Sequence, residues 1–401
     1  MVAPSSDAAW RWFVALDGGD LDGLIGDAGV LRFEWPSRRL DYRYFDGVSA
    51  GHNVSIAPGG RILLLGNFSQ QIVVVDTASL DVLERVTTMS VEQSDYRLRA
   101  NTHHVWLDDR RFLCAIGDHL YEFDLRDLRK PTRLGAHRLW TAHELRSGEH
   151  NKRYVLMGDL GPERSGARQV GVFDRDNPGK TRIIKLPGTV WHTCVHPDGN
   201  VGYAATYSIT AENEDYVDFA PAYTREYIFE IDLPNATILR VWSSGAGFPI
   251  HLNSDLELHG GKLYVASAGG HSVVELDIAD FTTTRVVPVT PSRWRRWFQV
   301  RQAIRNLLGA FLRKPAMNTH MLLQALVVSS GRLFDGVYAA RVSPDGRYLV
   351  AGNRGYNYLR VMDRRTLARV YDRQLPTLPG GLHLGMHHSE VVAGATPGAQ
   401  D

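Results

Sequence analysis

Histidine is the residue type here with the widest chemical reach, because a neutral imidazole offers a lone pair to a transition metal near physiological pH. The chain holds 16 histidines, and several stand at one recurring place. Reading back five or six residues from successive tight-turn signals gives Gly51-His52-Asn53, Thr102-His103-His104, Ala142-His143-Glu144, Trp191-His192-Thr193, Ile250-His251-Leu252, Val337-Tyr338-Ala339 and Met386-His387-His388. Six of these seven segments carry histidine; Tyr338 replaces it in one, and His251 lies about three residues upstream of the strict register. No local H-x-H or H-E-x-x-H spacing occurs among them, so only the recurrence points to a common centre.

Neighbours on a strand face opposite ways, so each of the pairs His103/His104 and His387/His388 supplies one candidate. Aligning 194–199 (CVHPDG) with 107–111 (LDDRR) sets His104 opposite His192, and analogy selects His388. His52 then falls opposite Trp191, out of step with the others. The predicted ligand set is His52, His104, His143, His192, His251 and His388, holding a divalent transition metal, Fe(II) or Cu. A polar, water-filled, histidine-lined channel without metal is the competing reading. Glu144, Asp255 and Glu390 are the nearest carboxylates; they either hold ligand imidazoles by the second nitrogen or are solvated strand residues. Tyr338 either donates a proton or contacts substrate, or is packed. Tyr338, Glu144 and Glu390 are the candidate catalytic residues.

The elements that must position these side chains also recur. Short apolar strands end in aspartate at Asp76, Asp124, Asp174, Asp232, Asp277 and Asp363, with steps of 48, 50, 58, 45 and 86 residues. Upstream of each aspartate lies a strand, a tight turn and a second strand, as in SIAPGGRILLLGN, CVHPDGNVGYAAT, LELHGGKLYVASA and RVSPDGRYLVAGN. Pro-Gly-Gly, Pro-Asp-Gly and Gly-Gly suit two-residue hairpin turns. Roughly 40–50 residues per four-stranded unit is the period of a propeller blade. The pattern predicts an all-β, seven-bladed β-propeller, with six blades as the alternative. In the seven-bladed form a C-terminal strand near 387–392 joins N-terminal strands near 31–35 and 41–45, which leaves no open edge. The first strands of the blades then converge on a central channel.

The P-D-G-R-Y-L-V turn and strand resemble the blades of WD-repeat and YVTN-type propellers, over about residues 50–375. Seven-bladed propellers with axial histidines resemble the carotenoid-oxygenase group, a likeness that implies four histidines on ferrous iron with glutamates behind them. The stretch TAHELRSGEHNKRYVLMGDLGPERSGARQVGVFD, with its His-x-Leu-x-Ser-Gly-Glu and Gly-Asp-x-Gly, is similar to the selenium-binding-protein and methanethiol-oxidase group, which implies copper. This chain lacks the cysteine-rich N-terminal region of that group. Both likenesses imply a metal-dependent oxidoreductase. A Lewis-acid lyase, isomerase or hydrolase is the next enzyme class, and a scaffold for protein partners is the non-enzyme alternative.

Composition narrows the setting. With 401 residues, 44% hydrophobic and 22% charged, the chain is globular rather than disordered or fibrous. Its net charge of +1 supplies no global field for nucleic acid or membrane, so the expected partner is a small, partly hydrophobic molecule. Two cysteines, Cys114 and Cys194, fit a reducing compartment, and the N-terminus lacks the features of a secretory signal; the expected location is cytoplasmic. The whole chain reads as one domain with an insertion at 291–336. From Arg293 to Lys314 the insertion has seven basic and no acidic residues. Trp297, Val300, Ile304, Leu307, Leu308 and Phe311 recur at helical spacing, and Pro315 stops the helix. This amphipathic helix either packs on the propeller or serves as a lid or a peripheral membrane contact. A second excursion, 206–225, is acidic and aromatic.

Overall fold

A computed structural model describes residues 8–17, 27–49, 51–67, 70–88, 102–159, 161, 167–207, 226–243, 250, 253–292, 297, 301, 336–379 and 383–394. These form seven four-stranded antiparallel sheets, the seven blades of a propeller. Blades I to VI follow chain order over 51–87, 104–136, 142–185, 189–243, 253–288 and 337–374. Blade VII unites the two ends of the chain. Its inner strand, Met386–Ala393, pairs with Trp10–Leu16, which pairs with Asp27–Trp35 and then Leu40–Ser49.

The recurring aspartates fold the last hairpin of blades I to VI. Asp76 Oδ1 accepts the backbone N–H groups of Ala78 and Ser79 at 2.9 and 2.7 Å, and Asp363 Oδ1 accepts that of Thr366 at 2.8 Å. Asp124, Asp174, Asp232 and Asp277 make the same local bond, which mimics a backbone turn. These residues are therefore structural. At the first hairpin of blades IV and VI, Gly199 and Gly346 take φ values of 77° and 67°, a region open to glycine at little cost.

The core lies between blades, one apolar cluster per interface. Trp10, Trp12, Leu31 and Phe33 of blade VII pack on Tyr348, Val350, Leu359 and Val361 of blade VI, while Phe13, Val30 and Phe45 pack on Leu63, Val73 and Val75 of blade I. Trp10–Leu16 thus buries both faces. The expected closure strands lie within Asp27–Trp35, Leu40–Ser49 and Met386–Ala393, and the structure adds Trp10–Leu16 between the terminal and N-terminal members.

Most of the insertion at 291–336 and of the excursion at 206–225 lies outside the described residues, including most of the expected helix over 293–314. Trp297 and Arg301 are described: both are helical and exposed, with the Arg301 guanidinium 5.3 Å from the Trp297 ring. Among the described residues no helix is long and apolar enough to cross a membrane.

Candidate metal centre

The inner strands of the blades share a defect. In blade I Gly51 pairs Asn67 and Asn53 pairs Gly66, so His52 is an extra residue. Trp191, Ser254 and Tyr338 are the extra residues of blades IV, V and VI. In blade III His143 and Glu144 span the gap between the Ala142 and Leu145 pairs; in blade VII His387 and His388 do so, opposite the interval Val14–Leu16. A bulge re-aims side chains where it interrupts the ladder. In blade VII it brings two consecutive residues, His387 and His388, into the histidine cluster.

Blade II is placed by its hairpin. Trp106 pairs Phe112 as Ile56 pairs Leu63, so His103 matches Asn53 and His104 matches Val54. Two tiers of axial positions result. One holds His52, Thr102, His143, Trp191, Ser254, Tyr338 and His387. The next holds Asn53, His103, Glu144, His192, Asp255, Ala339 and His388.

Three histidines from each tier meet on the axis. Their ligand-capable nitrogens form three groups within 4.8 Å: His52/His103/His143, His52/His387/His388 and His143/His192/His388. The Nε2 atoms of His52 and His143 are 3.1 Å apart. Ring centroids are separated by 4.2 Å for His52–His387, 4.9 Å for His192–His388 and 5.4 Å for His103–His388.

Burial, reinforced by neighbouring imidazoles, holds His52, His103, His387 and His388 well below the usual histidine range. They are neutral near pH 7, as metal ligation requires. Among the described residues His103 Nε2 and both ring nitrogens of His388 are buried with no hydrogen-bond partner. Such orphaned groups cost about 1–3 kcal/mol each, and a bound cation would satisfy them. The donor set therefore fits a transition metal.

The outer contacts differ across the cluster. Glu144 Oε2 lies 3.4 Å from His192 Nδ1 and accepts the Thr193 backbone N–H at 2.7 Å. Burial pushes the Glu144 carboxyl up, but Arg146 and His192 outweigh it and hold it at about 2. Asp255 Oδ1 lies 3.9 Å from His388 Nδ1, and Asp255 also pairs with Arg341 at 2.5 Å. His103 Nδ1 instead lies 2.9 Å from the backbone carbonyl of His143.

Two residues further along the strands, Arg146, Glu257, Arg341 and Glu390 continue the polar lining. Arg341 Nε is 3.7 Å from Glu257, whose carboxyl is pushed up to about 7 by burial, against Arg341. Glu390 is also raised by burial, and it accepts the Ile56 backbone N–H. It thereby ties blade VII to blade I.

Of the residues expected from sequence, His52, His143, His192 and His388 come together, with Glu144 behind His192. Tyr338 stands beside the cluster, its ring 5.0 Å from that of His387 and 5.9 Å from the Arg354 guanidinium. His104 requires correction. It belongs to none of the three groups; its ring packs edge-on against Phe112 at 5.6 Å, and His103 faces the axis in its place. The cause is register: Leu107 N–H closes on Arg111 and His196 N–H closes on Val201, which sets Leu107 opposite His196 and His103 opposite His192. Matching the last residue of 107–111 to Gly199 instead slides the strand by one and brings His104 there. His251 lies outside the described residues. His103 and His387 were the members passed over in the two adjacent pairs, and Arg146, Glu257 and Arg341 were not singled out. A repeat alignment allowing one bulge residue per inner strand would have found both histidines.

No protein-family model and no curated protein matches the chain. Among solved structures it is similar to Kuenenia stuttgartiensis hydrazine synthase, with a TM-score of 0.56 and 12% identity over 88% of this chain and 99% of the other. At that identity the likeness is one of fold, and it places this chain among the β-propellers.

Proposed function

We propose that the protein is a metal-dependent oxidoreductase that uses iron or copper, held by the axial histidines, on a small and partly hydrophobic molecule entering the channel. The observation that carries this reading is the convergence of six histidines from five blades, five of them buried and His387 half-buried, at least four of them kept neutral. An all-imidazole donor set suits Fe, Cu and Zn over the harder cations, and a three-histidine group leaves coordination positions for dioxygen or substrate. Tyr338, whose ring lies 5.0 Å from that of His387, is proposed to contact substrate. The proposed location is cytoplasmic.

Glu257 favours a second reading, a non-redox lyase, isomerase or hydrolase. A carboxyl titrating at about 7 has the proton affinity wanted of a general base near neutrality. The test begins with elemental analysis of protein purified without an affinity tag. The metal-free protein is then loaded separately with Fe(II), Cu(II) or Zn(II) and assayed for dioxygen consumption over a panel of small hydrophobic reductants. Turnover with iron or copper and none with zinc supports the oxidoreductase. Turnover of a hydrolysable or eliminable substrate with zinc as good as with iron supports the second reading.

A further inference from the structure

Six imidazoles are more than a single ion here can use. Metal–nitrogen bonds are about 2.0–2.1 Å, so one ion reaches donors no more than about 4.2 Å apart. Among the described residues the groups of mutually close donors each contain three histidines, any two groups share one of them, and it takes all three groups to include all six. An ion in one group leaves three imidazoles outside its shell.

We propose that the cluster binds two adjacent, inequivalent divalent ions, an inference that rests on the metal reading above. His52, His103 and His143 hold one. His192 and His388, which fall together in the group that also includes His143, hold the other, and their ring centroids are 4.9 Å apart. These two groups meet at His143, which puts the two ions side by side, as in two-metal sites with separations of about 3.5–4 Å.

The inequivalence comes from what stands behind the ligands. His192 and His388 have Glu144 and Asp255 at 3.4 and 3.9 Å. His103 and His143 have neutral partners: the His143 carbonyl at 2.9 Å and the Thr102 hydroxyl at 3.4 Å. A carboxylate raises the basicity of the imidazole it contacts, so the His192/His388 ion binds first and more tightly.

The experiment is a Co(II) titration of the metal-free full-length protein, followed by ligand-field absorption, with bound metal measured after removal of excess. The wild-type protein takes up two equivalents in two phases. His192→Ala loses the first, tighter phase and keeps one ion; His103→Ala loses the second and keeps one. Alanine is tolerated at this register, since Ala339 occupies it in blade VI. Saturation at one equivalent in the wild type overturns the two-ion proposal while leaving the metal reading intact, and no uptake at all overturns both. Loss of both ions in a variant with wild-type circular dichroism also overturns it. Should a variant fail to fold, Cu(II) loading of the wild type decides: a spin-coupled pair in electron paramagnetic resonance supports the proposal, and a signal of isolated ions overturns it.

Discussion

At the scale of single residues, the two neighbouring histidines of blade II have opposite tasks. His103 faces the axis, whereas His104 occupies a core position that Val54, Leu145, Leu256 and Ala340 fill in other blades. Burial lowers the His104 pKa to about 3. A group depressed on folding contributes stability above its unfolded pKa, about 6.5, which is lost as pH falls through the window from 6.5 to 3. The loss is about 1.4 kcal/mol per pH unit. His104→Leu removes that titration and keeps an apolar side chain of suitable size. In urea unfolding the variant should match wild type at pH 7 and exceed it by about 2–3 kcal/mol at pH 4.5. Its metal content should be unchanged. Loss of metal in this variant would return His104 to the ligand set and remove His103 from it.

At the scale of elements, the segment over 293–314 is the part of the chain whose composition the propeller does not explain. It carries seven cations and no acids alongside Trp297, Val300, Ile304, Leu307 and Phe311. A solvated helix ordinarily mixes its charges, whereas an interfacial helix wants arginines at the headgroups and aromatic and aliphatic residues below them. Trp297 is 56% exposed, in keeping with an outward-facing apolar side. We propose that this segment makes a peripheral contact with anionic membrane. The protein should co-float with liposomes containing anionic lipid and be released by salt. Trp297→Glu with Ile304→Glu should abolish flotation without altering bound metal. Unfolding of that double variant, or flotation indifferent to salt and to the substitutions, would make the segment a structural element instead.

For the molecule as a whole, closure of the ring is the decisive event, because the inner strand of the last blade is supplied by the C-terminus. Met386–Ala393 brings His387 and His388 to the axis, pairs with Trp10–Leu16, and sets Glu390 against the backbone of Ile56. Deleting 384–401 therefore removes a strand ladder and two histidines, and exposes the edge of Trp10–Leu16. Unpaired edges of this kind promote aggregation. The truncated protein should be insoluble or molten by near-ultraviolet circular dichroism and deficient in metal. A soluble monomer with wild-type melting and metal content would show that the ring closes without this strand.

The sequence alone was sufficient for the repeated unit and for the idea of an axial histidine site. Aspartate-capped turns, glycine-bearing hairpins and period-two apolar strands are local, so each left its mark in a few adjacent residues. His143 and His192 could be placed because their positions repeat relative to neighbouring turns. Trp10–Leu16 was not recognised, since its partners lie at 27–35 and at the far end of the chain, and pairing across that separation has no local signature. The exchange of His103 for His104, the double tier of histidines and the Arg146, Glu257 and Arg341 lining were decided by tertiary structure. Which side chain faces the axis depends on hydrogen-bond register between strands. One extra bulge residue, or a turn one residue shorter, reverses that facing while leaving the composition of the segment almost unchanged.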